Sequence, residues 1–124
     1  AILMTREDFI NILADKYSCL PDYPWEDDNE SAVFRHKVSK KWFALLMNIS
    51  ADKIGKNSTE KIWVVNLKAD KWNISDLKME QGIYTAYHMN KVHWITVNLA
   101  EVNTVMIEKL LEESFNLTRT KKDF

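Results

Sequence analysis

One cysteine, two glycines and two prolines are all that this 124-residue chain holds of the residues that staple or punctuate a fold. A lone Cys19 excludes an intrachain disulfide; it reads as a small buried apolar residue and suits a reducing cytoplasm. So little Gly and Pro predicts few, short loops. No apolar run approaches the ~20 residues that span a bilayer. The opening Ala1-Ile2-Leu3-Met4 is too short for a signal peptide and lacks a basic segment ahead of it. A cytoplasmic protein without membrane association is the expectation. An excess of one charge is missing too: 17 Lys and Arg stand against 18 Asp and Glu, a net −1, which excludes a strongly basic domain.

Catalytic signatures are equally scarce. There is no Gly-rich phosphate loop, no G-x-S-x-G elbow, no C-x-x-C and no H-E-x-x-H. Asp27-Asp28 and Glu112-Glu113 are adjacent carboxylates, so their side chains diverge and read as solvated surface. His36, His88 and His93 match no common zinc spacing. We therefore expect no enzyme, no cofactor, no metal and no small-molecule substrate. The Asn-x-Ser/Thr triplets, those at Asn48, Asn57, Asn73 and Asn116 among them, read as incidental among ten asparagines.

What is present is a core. At 46% hydrophobic and 11% aromatic residues, the chain can bury an interior without staples, as a single domain over residues 1–124. Residues 1–4 read as disordered, or as an addition ahead of a start at Met4; residues 119–124 read as a polar tail. Charge is unevenly spread. Residues 1–32 carry two bases and eight acids, whereas residues 33–48 carry Arg35, Lys37, Lys40 and Lys41 with no acid.

Thr5 can cap a first helix that places Phe9, Ile12, Leu13 and Tyr17 on one face and ends at Pro21 and Pro24. After an acidic loop from Asp22 to Glu30, Ala32–Lys37 and Trp42–Ile49 read as a hairpin turning at Val38–Lys41. Alternation sets Arg35 and Lys37 on one face, Phe34 and His36 on the other. Ile62–Leu67 is a third strand. Asp70 can cap a short helix reaching Gln81 and stopped by Gly82. Two short strands then flank the polar segment His88–His93, and Asn103-Thr104 starts a last helix with Ile107, Leu110, Leu111 and Phe115 along one side. The order α-β(3)-α-β(2)-α, without a βαβ repeat, predicts an α+β, two-layer fold with a mostly antiparallel five-stranded sheet under helices.

Two segments carry candidate binding chemistry. Arg35, Lys37, Lys40 and Lys41 can each neutralise a phosphate, with Trp42 available for stacking; equally, lysines on an edge hairpin block sheet-to-sheet association. In Tyr87–Trp94, Asn90 can read a base edge, Lys91 can meet a phosphate, and His88 and His93 can add charge at low pH. The same His88 and Asn90 can instead hold a tight turn while Trp94 packs inward. Lys68 is a further cation that the sequence cannot place.

Several strings resemble the MmcQ/YjbR family: Tyr23-Pro24-Trp25-Glu26-Asp27, Ala32-Val33-Phe34-Arg35-His36, Lys41-Trp42-Phe43-Ala44-Leu45, Val65-Asn66-Leu67-Lys68, Gly82-Ile83, Ala86-Tyr87-His88-Met89-Asn90-Lys91 with His93-Trp94-Ile95, and Ser114-Phe115-Asn116-Leu117-Thr118. The resemblance implies a secretion-chaperone-like fold and DNA binding through two hairpin wings. On that reading Arg35, Lys37, Lys40, Lys41, Lys68, His88, Asn90 and Lys91 form a weak, salt-sensitive DNA site. The alternative is a protein-interaction or homodimerisation module that uses a sheet face or the last helix.

Overall fold

The computed structural model of the protein describes residues 3–123. Helix α1 spans Arg6–Tyr17 and opens with a reciprocal cap: Asp8 N–H donates to Thr5 Oγ1 (3.1 Å), and Thr5 N–H donates to Asp8 Oδ2 (3.0 Å). It stops ahead of both prolines, because Ser18 takes a left-handed φ of 50°. Strands β1 (Ala32–Arg35), β2 (Trp42–Ser50), β3 (Lys61–Lys68), β4 (Ile83–Thr85) and β5 (Trp94–Asn98) form one sheet in the order β1-β2-β3-β5-β4, with every pairing antiparallel. Helix α3 spans Thr104–Thr118, capped by Asn103, whose Oδ1 accepts from Met106 N–H at 2.8 Å.

The two sheet faces differ. One carries Ala32, Phe34, Leu46, Val65, Leu67, Ile95 and Val97, buried against Phe9 and Leu13 of α1 and Ile107, Leu110 and Leu111 of α3. The apolar stripe of the last helix is thus core rather than a free docking face. The opposite face carries a smaller cluster, Val33, Leu45, Met47, Ile49 and Val64, covered in part by Trp42, Tyr87 and Met89. Adjacent Phe43 and Ala44 both belong to the helical side because the β1–β2 register slips: Phe34 pairs with Ala44 and Arg35 with Trp42, leaving Phe43 as an extra residue.

Three expectations need adjusting. Helix α2 spans only Ile74–Leu77; Asp70 accepts from Trp72 N–H (3.0 Å) in a local turn rather than capping a helix. At the N-terminus, Leu3 forms a bridge with Asn103 and Met4 is buried, so these two residues join the fold; Ala1 and Ile2 lie outside the described residues. The tail is anchored rather than frayed. Lys121–Asp123 make a 3-10 turn, and the Asp123 carboxylate accepts from Ser39 N–H (3.0 Å) and Ser39 Oγ (2.7 Å); Phe124 lies outside the described residues.

Candidate functional site

Antiparallel pairing brings the sequence-predicted cations to one end of the sheet. Ala44 pairs with Leu67, and Lys68 pairs with Trp94. The start of β2, the end of β3 and the start of β5 therefore share an edge, as do the β1–β2 turn (residues 36–41) and the β4–β5 connection (residues 86–93). With β3 alone between β2 and β5, strand spacing sets the two tips about 10 Å apart. Ser114 ties α3 to this end: its Oγ donates to Phe43 O (2.6 Å) and accepts from Lys68 N–H (2.8 Å).

The first tip is built on a buried histidine. His36 packs between Phe43 (5.0 Å between centroids) and Phe115 (4.5 Å). His36 Nε2 lies 2.8 Å from Thr118 Oγ1, whose hydroxyl is also bonded to Ser114 O (2.7 Å). Burial pushes the His36 pKa below its ordinary value; Arg119 and Lys41 push the same way and Asp123 opposes them. His36 is a neutral core residue here. Above it Lys37, Lys40 and Lys41 are exposed, and Lys40 sits at a left-handed φ of 66°.

The anchored tail adds bases that the sequence reading assigned to a loose end. Docking of Asp123 on Ser39 brings the exposed Lys121 and Lys122 to the turn that carries Lys37, Lys40 and Lys41. Desolvation favours the protonated form of Asp123. The backbone N–H groups of Thr120 and Ser39 and the hydroxyls of both residues outweigh it, holding the carboxyl far below the usual carboxylate range. One acid thus fixes a turn and a tail that together present five lysines.

The other predicted residues have different surroundings. Arg35 Nε donates to Asp22 Oδ2 (3.0 Å) and its guanidinium lies 5.5 Å from the Trp42 ring, so its charge is largely matched. Lys91 Nζ donates to Ala86 O (2.9 Å), and Asn90 Oδ1 accepts from Val92 N–H (2.8 Å); both hold the second tip in shape. His88, exposed at a left-handed φ of 62°, packs against the Tyr87 ring with centroids 3.9 Å apart and planes tilted by 42°. Lys68 is half-buried at the shared edge, and His93 is exposed beside it, its carbonyl accepting from Ala69 N–H (2.9 Å).

Sequence reasoning missed what positions the second tip. Asn66 and Thr96, both fully buried, sit side by side on β3 and β5. Thr96 Oγ1 donates to Asn66 Oδ1, Asn66 Nδ2 donates to Tyr87 O (2.7 Å), and Tyr87 N–H donates to Thr96 Oγ1 (2.9 Å). The available signal was a polar residue interrupting each of two apolar strands.

Between the two tips, on the sheet face without helices, lies a cleft of about 570 Å³. Trp25 and Trp42 meet there at 86° with centroids 5.9 Å apart. Leu45, Met47 and Met89 add apolar walls, and His88, Asp27 and Asp28 line it as well. A hydroxyl bond from Ser31, followed by the N–H groups of Ser31 and Glu30, pulls the Asp28 pKa below its ordinary value. His88 and Trp42 therefore face carboxylates, whereas Lys37, Lys40, Lys41, Lys121 and Lys122 form a separate positive rim.

Two further possibilities have a defined geometry. Burial raises the Cys19 thiol pKa, and its Sγ lies 3.5 Å from Arg35 O; this is a protonated, inward-facing thiol. Among the described residues no group of three or more His, Cys, Asp or Glu side chains is placed to hold a metal, and no helix is long and apolar enough to cross a membrane.

Comparison with known proteins adds the following. A family model described as YjbR matches residues 14–117. The chain is 40% identical over 119 residues to the uncharacterized protein YyaQ of Bacillus subtilis (strain 168), covering 94% of this chain and all of that one. A crystal structure of a protein from Pseudomonas syringae superposes with a TM-score of 0.92 at 47% identity, over 94% of this chain and 100% of that one. Deinococcus radiodurans protein DR2400, a DUF419 domain, superposes with a TM-score of 0.72 at 27% identity, over 98% and 86% of the two chains.

Proposed function

The chain belongs to the YjbR family, and from that premise we propose that it is a non-enzymatic, cytoplasmic protein that binds nucleic acid weakly through the positive rim at one end of its sheet. One observation carries the reading: the Asp123–Ser39 contact joins Lys121 and Lys122 to Lys37, Lys40 and Lys41 while engaging the Asp123 carboxylate in hydrogen bonds. Lysines that neutralise phosphates release counterions, which gives affinity without sequence preference. Of the residues expected from sequence, Lys37, Lys40, Lys41 and Lys68 keep this role. Arg35, Asn90 and Lys91 serve to shape the wings, because each already has an intramolecular partner.

Charge reversal tests this. Lys40→Glu with Lys41→Glu removes two phosphate contacts from exposed positions that carry no core packing. Fluorescence anisotropy with labelled duplex DNA is expected to show affinity falling alike for unrelated sequences and the log–log salt slope shrinking by about 2. Equal affinity for wild type and variant at low salt overturns the reading. A sedimentation mass that rises with concentration, together with no DNA binding, points instead to the homodimerisation alternative.

A further inference from the structure

The cleft on the helix-free face has the chemistry of a cation site, opposite in sign to the lysine rim beside it. Residues 22–30 hold five acids and no base. Asp22 is matched by Arg35 and Glu30 accepts from Asn48; Asp27 lines the cleft and has no hydrogen-bond or ion-pair partner among the described residues. The indoles of Trp25 and Trp42 form a right-angled corner above Leu45, Met47 and Met89. The Arg35 guanidinium, matched by Asp22, already lies 5.5 Å from the Trp42 ring, so the indole left to receive a further cation is that of Trp25, 36% exposed. Indole faces attract ammonium groups through the ring quadrupole. Nearby carboxylates add long-range attraction, and apolar walls bury a hydrocarbon body. A volume of about 570 Å³ is that of a small-molecule pocket.

We propose that this cleft binds a small organic cation, an alkyl or aryl ammonium compound whose charged head lies against the Trp25–Trp42 corner near Asp27 and whose apolar body rests on Leu45, Met47 and Met89. Anionic ligands are repelled by the same carboxylates, so the site is independent of the phosphate-binding rim.

Benzyltrimethylammonium is the probe, followed through the indole N–H signals of Trp25 and Trp42 in two-dimensional NMR spectra. Saturable shifts confined to the cleft are expected, with affinity falling as salt rises. Trp25→Ala is expected to weaken binding about tenfold or more, and Asp27→Asn about three- to tenfold. Lys40→Glu with Lys41→Glu is expected to leave it in place, which separates this proposal from the nucleic-acid reading. Thermal melts confirm that each variant is folded. Benzyl alcohol or benzoate shifting the same signals with an equal midpoint overturns the cation assignment. So do non-saturating shifts in the wild type, or an affinity unchanged by Asp27→Asn.

Discussion

His36 lies in the core, on the side of the strand where alternation sets it with Phe34. It stands one position from Lys37 and four from Lys40, yet its ring is 3% exposed between Phe43 and Phe115. Its folded pKa lies below the unfolded value of about 6.5, so the unfolded chain takes up the proton first. Stability from neutral His36 is therefore complete above that unfolded value. It is lost as pH falls from there to the folded pKa, at up to about 1.4 kcal/mol per pH unit. His36→Phe is expected to flatten this part of the curve: urea unfolding at pH 7.5 and 5.5 should differ less in the variant than in wild type. Gly82 makes a steric case. At φ 92°, an added Cβ would stand 2.5 Å from Val102 Cγ2 and 2.8 Å from Glu101 Cβ. Backbone strain there costs ~1–2 kcal/mol, and the clash adds to it, so Gly82→Ala is expected to lower stability by about 2–4 kcal/mol in denaturant melts.

At the scale of elements, the C-terminal segment decides whether the lysines act together. Asp123 holds Lys121–Asp123 against the β1–β2 turn. Because its pKa is held below the ordinary carboxylate value, the docked state persists at neutral pH and is lost only as pH falls below that value toward the folded pKa. Asp123→Asn is expected to raise hydrogen-exchange rates at the Ser39 and Thr120 amides. It is also expected to weaken DNA binding although it removes a negative charge, because the lysines of the tail leave the turn. Stronger binding in the variant would mean that net charge, not docking, sets affinity.

The elements were legible in the sequence in proportion to their local signals. Thr5 and Asp8, three residues apart, announced the start of α1, and Asn103 that of α3; alternation placed Phe34 and His36 inward and Arg35 and Lys37 outward. The tail carried no such signal. Its order comes from a contact between residues 84 positions apart, Ser39 and Asp123, which no local pattern encodes. The same holds for the Asn66–Thr96–Tyr87 network beneath the second wing. The α2 region misled for the opposite reason: Asp70 offered a good cap, but its carboxylate closes a turn two residues on.

For the molecule as a whole, near-neutral net charge conceals a separation of sign produced by topology. The strand order places both wing tips at one end. The acidic loop, joined to β1 through the Asp22–Val33 bridge and to Arg35 through Asp22, then lies on the helix-free face. Sequence took both hairpins as one basic surface. The structure divides them into a lysine rim and a carboxylate-lined cleft, and that division rests on long-range pairing.

Phosphate binding by the lysine rim is read out by the salt dependence of DNA affinity. Anisotropy titrations between 50 and 200 mM NaCl are expected to give a log–log slope of about −4, for ~4–5 phosphate contacts on duplex DNA. With Lys121→Ala and Lys122→Ala together the slope is expected to fall to about −2. A flat profile, an absence of binding at 50 mM NaCl, or a slope that is the same with and without the two tail lysines would contradict the account.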